Sequence, residues 1–161
     1  MPSSPLIRNE EPRDAQGVAA LVERAFGPGR YAKAAERLRE GNTHRQDLSF
    51  VAEIDGRLAG SVRLWPIRIG GQPAMLLGPI AVDADQRGNG LGQTLVEHAC
   101  DAAKAAGVAA VLLVGDAPWF ERTGFGHALE AIMPGPVDQR RVLVRVLGDD
   151  AGDLSGPVTP H

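Results

Sequence analysis

Leu76-Leu77-Gly78-Pro79-Ile80-Ala81-Val82-Asp83-Ala84-Asp85-Gln86-Arg87-Gly88-Asn89-Gly90-Leu91-Gly92 decides how this chain folds. Apolar residues run from Ala74 to Val82 with no polar alternation, as a strand buried on both faces requires. Gly78-Pro79 interrupts that run. Proline brings no N–H to a ladder, so the pair predicts a local bulge. After Val82 a glycine-rich crossover leads into a helix expected over 90–106. Leu91, Leu95, Ala99, Ala102 and Ala106 form its buried stripe, and Gly107 its C-cap. Ala109–Val114 then reads as a second buried strand. The usual right-handed crossover makes it parallel to the first.

The turn Arg87-Gly88-Asn89-Gly90-Leu91-Gly92 has the physics of an anion cradle. Glycines admit a close backbone approach and positive φ, and the first N–H groups of a helix lack internal partners. The helix dipole favours negative charge there, and Arg87 adds a guanidinium. A tight strand-to-helix turn with no ligand would use the same glycines. Two nucleotide motifs are excluded. No Gly-Lys-Ser/Thr follows, and Gly88, Gly90 and Gly92 do not match G-x-G-x-x-G.

Outward from this step, Leu6–Arg8 reads as a first strand. Val18, Leu21, Val22, Ala25 and Phe26 mark one face of a helix that begins near Glu11-Pro12 and ends at Gly27-Pro28-Gly29. Ala32–Arg39 suits a short second helix. Ser49–Ile54 and Leu58–Ile69 are strands joined by Asp55-Gly56, a hairpin turn signal, and Gly70-Gly71 turns the chain back. Asp116 is placed to cap a short helix after Gly115, and Arg141–Leu147 is the last strand. Residues 1–147 read as one domain and 148–161 as a polar C-terminal tail with Gly and Pro.

Composition narrows the partners. The 161 residues carry 17 Lys and Arg against 20 Asp and Glu, net −3, which gives no support for nucleic-acid or anionic-membrane binding. Met1–Glu11 has no apolar signal region, and Val108–Val114, the longest apolar run, is too short to span a bilayer. The single cysteine, Cys100, forms no internal disulfide and fits a reducing, cytoplasmic setting. His44, His98, His127 and His161 are scattered, so no metal site is expected.

Arg87–Gly92 resembles the R/Q-x-x-G-x-G/A signature of the GNAT N-acetyltransferase superfamily, placed directly after a strand ending Ile80-Ala81-Val82. Trp119-Phe120-Glu121-Arg122-Thr123-Gly124-Phe125 is similar to that family's Y-x-x-x-G-F stretch, and Gly115-Asp116-Ala117-Pro118 resembles its YhbS-like subgroup. The resemblance runs from about Leu6 to Leu147. It implies an α/β GNAT fold: a mixed, mostly antiparallel sheet with one central βαβ step that binds acetyl-CoA. Backbone groups of Ile80, Ala81 and Val82 would pair with pantetheine. Gly88, Asn89, Gly90, Leu91, Gly92 and Gln93 would hold the pyrophosphate beside Arg87, and Phe120 would pack on the arm. The implied reaction is direct transfer of acetyl to a small-molecule or peptide amine by a monomer or homodimer.

The resemblance also locates the catalytic positions. The Val82 backbone N–H is the expected oxyanion donor. The family's acid is a tyrosine, and its slot here is Phe120. Tyr31 is the only phenol in the chain, so it is carried as the alternative acid. The usual carboxylate or imidazole positions on the central strand hold Gly78 and Leu76. Glu53 is then a candidate base, against the plainer role of a solvated strand residue. An acetyl-CoA-binding module with little or no turnover is the rival reading, and another acyl group or a non-amine acceptor is a third.

Overall fold

The computed structural model describes residues 4–26, 34–149 and 151–161. β1 (Leu6–Asn9) leads into α1 (Ala15–Phe26), followed by α2 (Ala34–Arg39). Three strands form a meander: β2 (Phe50–Ile54), β3 (Arg57–Ile69) and β4 (Gln72–Val82). Then come α3 (Leu91–Ala105), β5 (Ala110–Val114) and the short α4 (Ala117–Glu121). Two-residue strands β6 (Gly126–His127) and β7 (Ala131–Ile132) precede β8 (Val142–Val146) and β9 (Gly156–Pro160).

The sheet runs β1-β2-β3-β4-β5-β8-β6, with β9 and β7 added along β3. In the main path only β4–β5 is parallel, and α3 makes the crossover between them. This is the mixed sheet with a central βαβ step that the sequence leads one to expect. Residues alternate across it. On β3, Val62 and Leu64 join the α3 side with Leu95, Ala99 and Cys100, while Trp65 and Ile67 join the α2 side with Leu38. α1 covers that second face further along, through Val18 and Leu21 against Val51 and Ala81.

Gly78-Pro79 is a bulge, as expected. Val62 lies opposite Ile80, but Leu64 lies opposite Leu77, so β4 spends an extra residue. Leu77 and Ile80 therefore both face the α3 layer. The Trp65 indole N–H donates to the Gly78 carbonyl at 2.5 Å and ties the bulge to β3.

Two features were hidden in the sequence. Within the polar stretch 148–161, β9 pairs Ile67–Ile69 of β3 with Val158–Pro160. Edge pairing uses backbone groups, which side-chain patterning does not announce. Glu10, which reads as a helix-start acid, is 2% exposed. Arg63 donates to it from Nε at 2.9 Å and Nη2 at 2.8 Å, and His44 Nε2 lies 3.1 Å away. Burial pushes the Glu10 carboxyl up, but these two partners outweigh it and hold it below the usual carboxylate range.

Candidate functional site

β4 and β5 pair only at Met75–Val111 and Leu76–Leu112. Beyond the bulge β4 continues to Val82 while β5 ends at Val114, and the two strands part. The backbone of β4 is left unpaired on that side. The Asp83 N–H donates to the Ala59 carbonyl at 2.8 Å, and Val82 lies opposite Gly60. Successive N–H groups in an antiparallel ladder point to opposite sides. The polar groups of Val82 and Ile80 therefore turn into the gap, while those of Ala81 face β3. The Val82 carbonyl receives a 3.4 Å bond from Arg87 Nε.

Two hollows meet in the gap. One, about 510 Å³, runs from Ile80 and Val82 past Gly88, Gly90 and Gly92 to Trp119. The other, about 440 Å³, lies on the bulge side, bounded by α2, Pro79, Val114 and Arg141. Ile80, Asp116 and Phe120 line both.

The glycines suit the first hollow in different ways. Gly90 precedes α3 with φ 81 and has open space where a Cβ would stand. An L side chain is strained there, and glycine is not. Gly92 gives room to Trp119: a Cβ would lie 3.1 Å from Cζ2 of the indole. Asp116 caps α4 by accepting from the Trp119 N–H at 3.2 Å, as expected. The Phe120 ring meets Trp119 edge-on at 4.6 Å and Phe125 at 5.8 Å between centroids.

Of the expected cofactor residues, all but Asn89 line the first hollow. Val82 lines it but not the second. Glu53 lines neither. Its carboxylate is clasped by Arg8, from Nε at 2.8 Å and from Nη2, in a cluster with Asp14. Arg8 pulls the Asp14 carboxyl down to about 2. Tyr31 lies outside the described residues. Cys100 is fully buried, and burial pushes its thiol up to about 11, which suits a core residue rather than a nucleophile. Among the described residues no group of His, Cys, Asp or Glu is placed to hold a metal. Sequence reasoning missed Trp119, Arg122 and Gln86 as lining residues. Trp119 reaches Gly92 across the fold, and no local spacing signals that contact.

Comparison with known proteins agrees with this architecture. The family model described as "Acetyltransferase (GNAT) family" matches residues 15–126. The chain is 37% identical over 164 residues to the uncharacterized N-acetyltransferase YhbS of Escherichia coli K12, covering 97% of this chain and 96% of that protein. The crystal structure of Escherichia coli YhbS in complex with CoA superposes with a TM-score of 0.83 at 33% identity, covering 99% of this chain and 91% of that one. A GNAT family acetyltransferase from Brucella melitensis, in complex with acetyl-CoA, gives 0.66 at 29% identity over 94% of this chain and 99% of that one.

Proposed function

The chain belongs to the GNAT acetyltransferase family, and from that premise we propose that it moves the acetyl group of acetyl-CoA to an amine by direct attack in a ternary complex. The observation that carries this reading is the open side of β4. Ile80 and Val82 turn their N–H and C=O groups to a gap that leads to the glycine-lined start of α3, and only the Val82 carbonyl is met there, by Arg87 Nε at 3.4 Å. A pantetheine arm has the amides to pair with such a strand, and a pyrophosphate has the charge for such a helix start. YhbS with CoA and the Brucella melitensis enzyme with acetyl-CoA support the same ligand here.

The thioester then belongs at the junction of the two hollows. Ile80 stands there, while Val82 lies nearer the glycines. We therefore assign the oxyanion donor to the Ile80 N–H rather than to Val82. The new N–C bond forms as the C–S bond breaks, and CoA leaves as a thiolate. Phe120 offers no proton to it. With an ordinary thiol pKa near about 8.5, the thiolate leaves unaided and takes its proton from water. Asp116 is the one carboxylate among the described residues that lines both hollows. One of its oxygens caps α4, and the other is left to receive the proton of the attacking amine.

Asp116→Asn tests this assignment, because asparagine caps a helix as well as aspartate does. Thiol release should fall roughly 100-fold while acetyl-CoA affinity holds. Unchanged turnover would remove Asp116 from the mechanism. Phe120 in the tyrosine slot favours a second reading, a CoA-binding module with little turnover. Sustained acetyl-CoA-dependent thiol release with any amine of a panel would exclude it.

A further inference from the structure

We infer that the hollow on the bulge side takes an amine acceptor bearing a carboxylate, held by Arg39 and Arg141. This deepens the acetyl-transfer reading and rests on it. Most of that wall is hydrocarbon, from Leu77, Pro79, Leu113 and Val137. Two arginines, Arg39 and Arg141, interrupt it. Arg39 ends α2 with its side chain only 9% exposed. Glu36 accepts from Nε at 3.0 Å and Nη2 at 2.7 Å, which occupies one edge of the group. Nη1 has no hydrogen-bond acceptor among the described residues. It stands against the bulge, 3.3 Å from where a Cβ on Gly78 would lie.

The other charges on this wall are accounted for. Asp138 is spent on Arg140, accepting from Nε and Nη2 at 3.0 Å each and from the backbone N–H at 3.1 Å. Arg141 makes no side-chain hydrogen bond to an acid among the described residues, but its charge lies near enough to Asp138 to help hold that carboxyl below the usual range. Among the described residues only one oxygen of Asp116, at the junction, accepts a hydrogen bond. The wall thus offers the free Nη1 edge of Arg39 and, next to Asp138, Arg141, with the Asp116 carboxylate at the junction. An amino acid complements both ends: its neutral amine at Asp116, next to the thioester, and its carboxylate on the side of Arg39 and Arg141. A guanidinium edge in an apolar wall binds a carboxylate more strongly than it would in open water.

The test follows thiol release from acetyl-CoA with α-, β- and γ-amino acids and with their carboxamides, which keep the amine and lose the negative charge. Acids should be preferred at least about tenfold in kcat/KM. Arg141→Gln, at an exposed position, and Arg39→Gln should each raise KM for the acid about 10- to 100-fold and shrink the preference toward one. Comparing variant with parent cancels the difference in amine basicity between acid and amide. Carboxamides acetylated as readily as acids, with acetyl-CoA binding intact by calorimetry, would overturn this inference and leave the transfer reading standing. So would a preference that survives both substitutions. No amine-dependent thiol release with any compound of the panel would sink both.

Discussion

Gly115→Ala should cost stability and CoA affinity together, because of one close approach. A Cβ at residue 115 would lie 2.4 Å from Cε2 and 2.9 Å from Cδ2 of Phe120, and 3.2 Å from Leu113 Cδ1. Carbon atoms rest about 3.5–4.0 Å apart, so the ring must move by roughly an ångström. It has little room, being 7% exposed between Trp119 and Phe125. Overpacking of this kind costs about 1–3 kcal/mol. Gly115 does not have a positive φ, so alanine also restricts the unfolded chain, which returns about 0.4–1 kcal/mol. The clash wins, and the net loss of about 1–2 kcal/mol lowers the melting temperature by roughly 2–8 °C in a domain of this size. Phe120 lines both hollows, so its displacement should also weaken CoA binding about tenfold, a loss of ~1.4 kcal/mol. Thermal unfolding and calorimetric titration with CoA read the two effects. In a Phe120→Ala background the ring is gone, and Gly115→Ala should become neutral or stabilising. A variant that melts within a degree of the parent and binds CoA normally would refute the placement of Phe120 against Gly115.

Gly90→Glu combines a strained φ of 81 with a like charge at the expected pyrophosphate, so CoA binding should vanish; normal affinity by titration would contradict the cradle. Glu10→Gln leaves Arg63 without its buried counter-ion and should cost about 3 kcal/mol in urea unfolding. A loss under 1 kcal/mol would show that the pair is poorly coupled. Asp14 has its folded pKa depressed to about 2, so its ion pair with Arg8 stabilises the fold above the ordinary carboxylate range and is lost as pH falls through 2. Asp14→Asn should flatten that acid limb and lower stability at neutral pH by about 2 kcal/mol; an unaltered limb would assign it to other carboxylates.

Much of the centre of this protein is legible along the chain. The unbroken apolar run to Val82, the Gly78-Pro79 bulge and the helix stripe from Leu91 are local patterns, so the βαβ step and its anion-ready turn follow from sequence. Asp116 as a cap follows for the same reason, since a cap is satisfied within one turn. Glu53 was misjudged because nothing in its own strand reports Arg8, which reaches it from β1. The partners of Glu10 are illegible for the same reason, since Arg63 and His44 come from distant segments.

The sequence by itself determined the longer strands and helices, the glycine turn and the absence of a hydroxyl at residue 120, but not the short strands β6, β7 and β9. These depend on backbone freedom and side-chain chemistry within a few residues. Only the tertiary structure decided which groups share the junction. Ile80 supplies one wall because a bulge shifts the phase of β4. Trp119 closes the glycine turn because Gly92 has no Cβ to keep it away. Arg39 and Arg141 face one hollow because α2 and the segment before β8 converge on it. Distances of this kind are set by packing between segments far apart in the chain, which local periodicity does not encode.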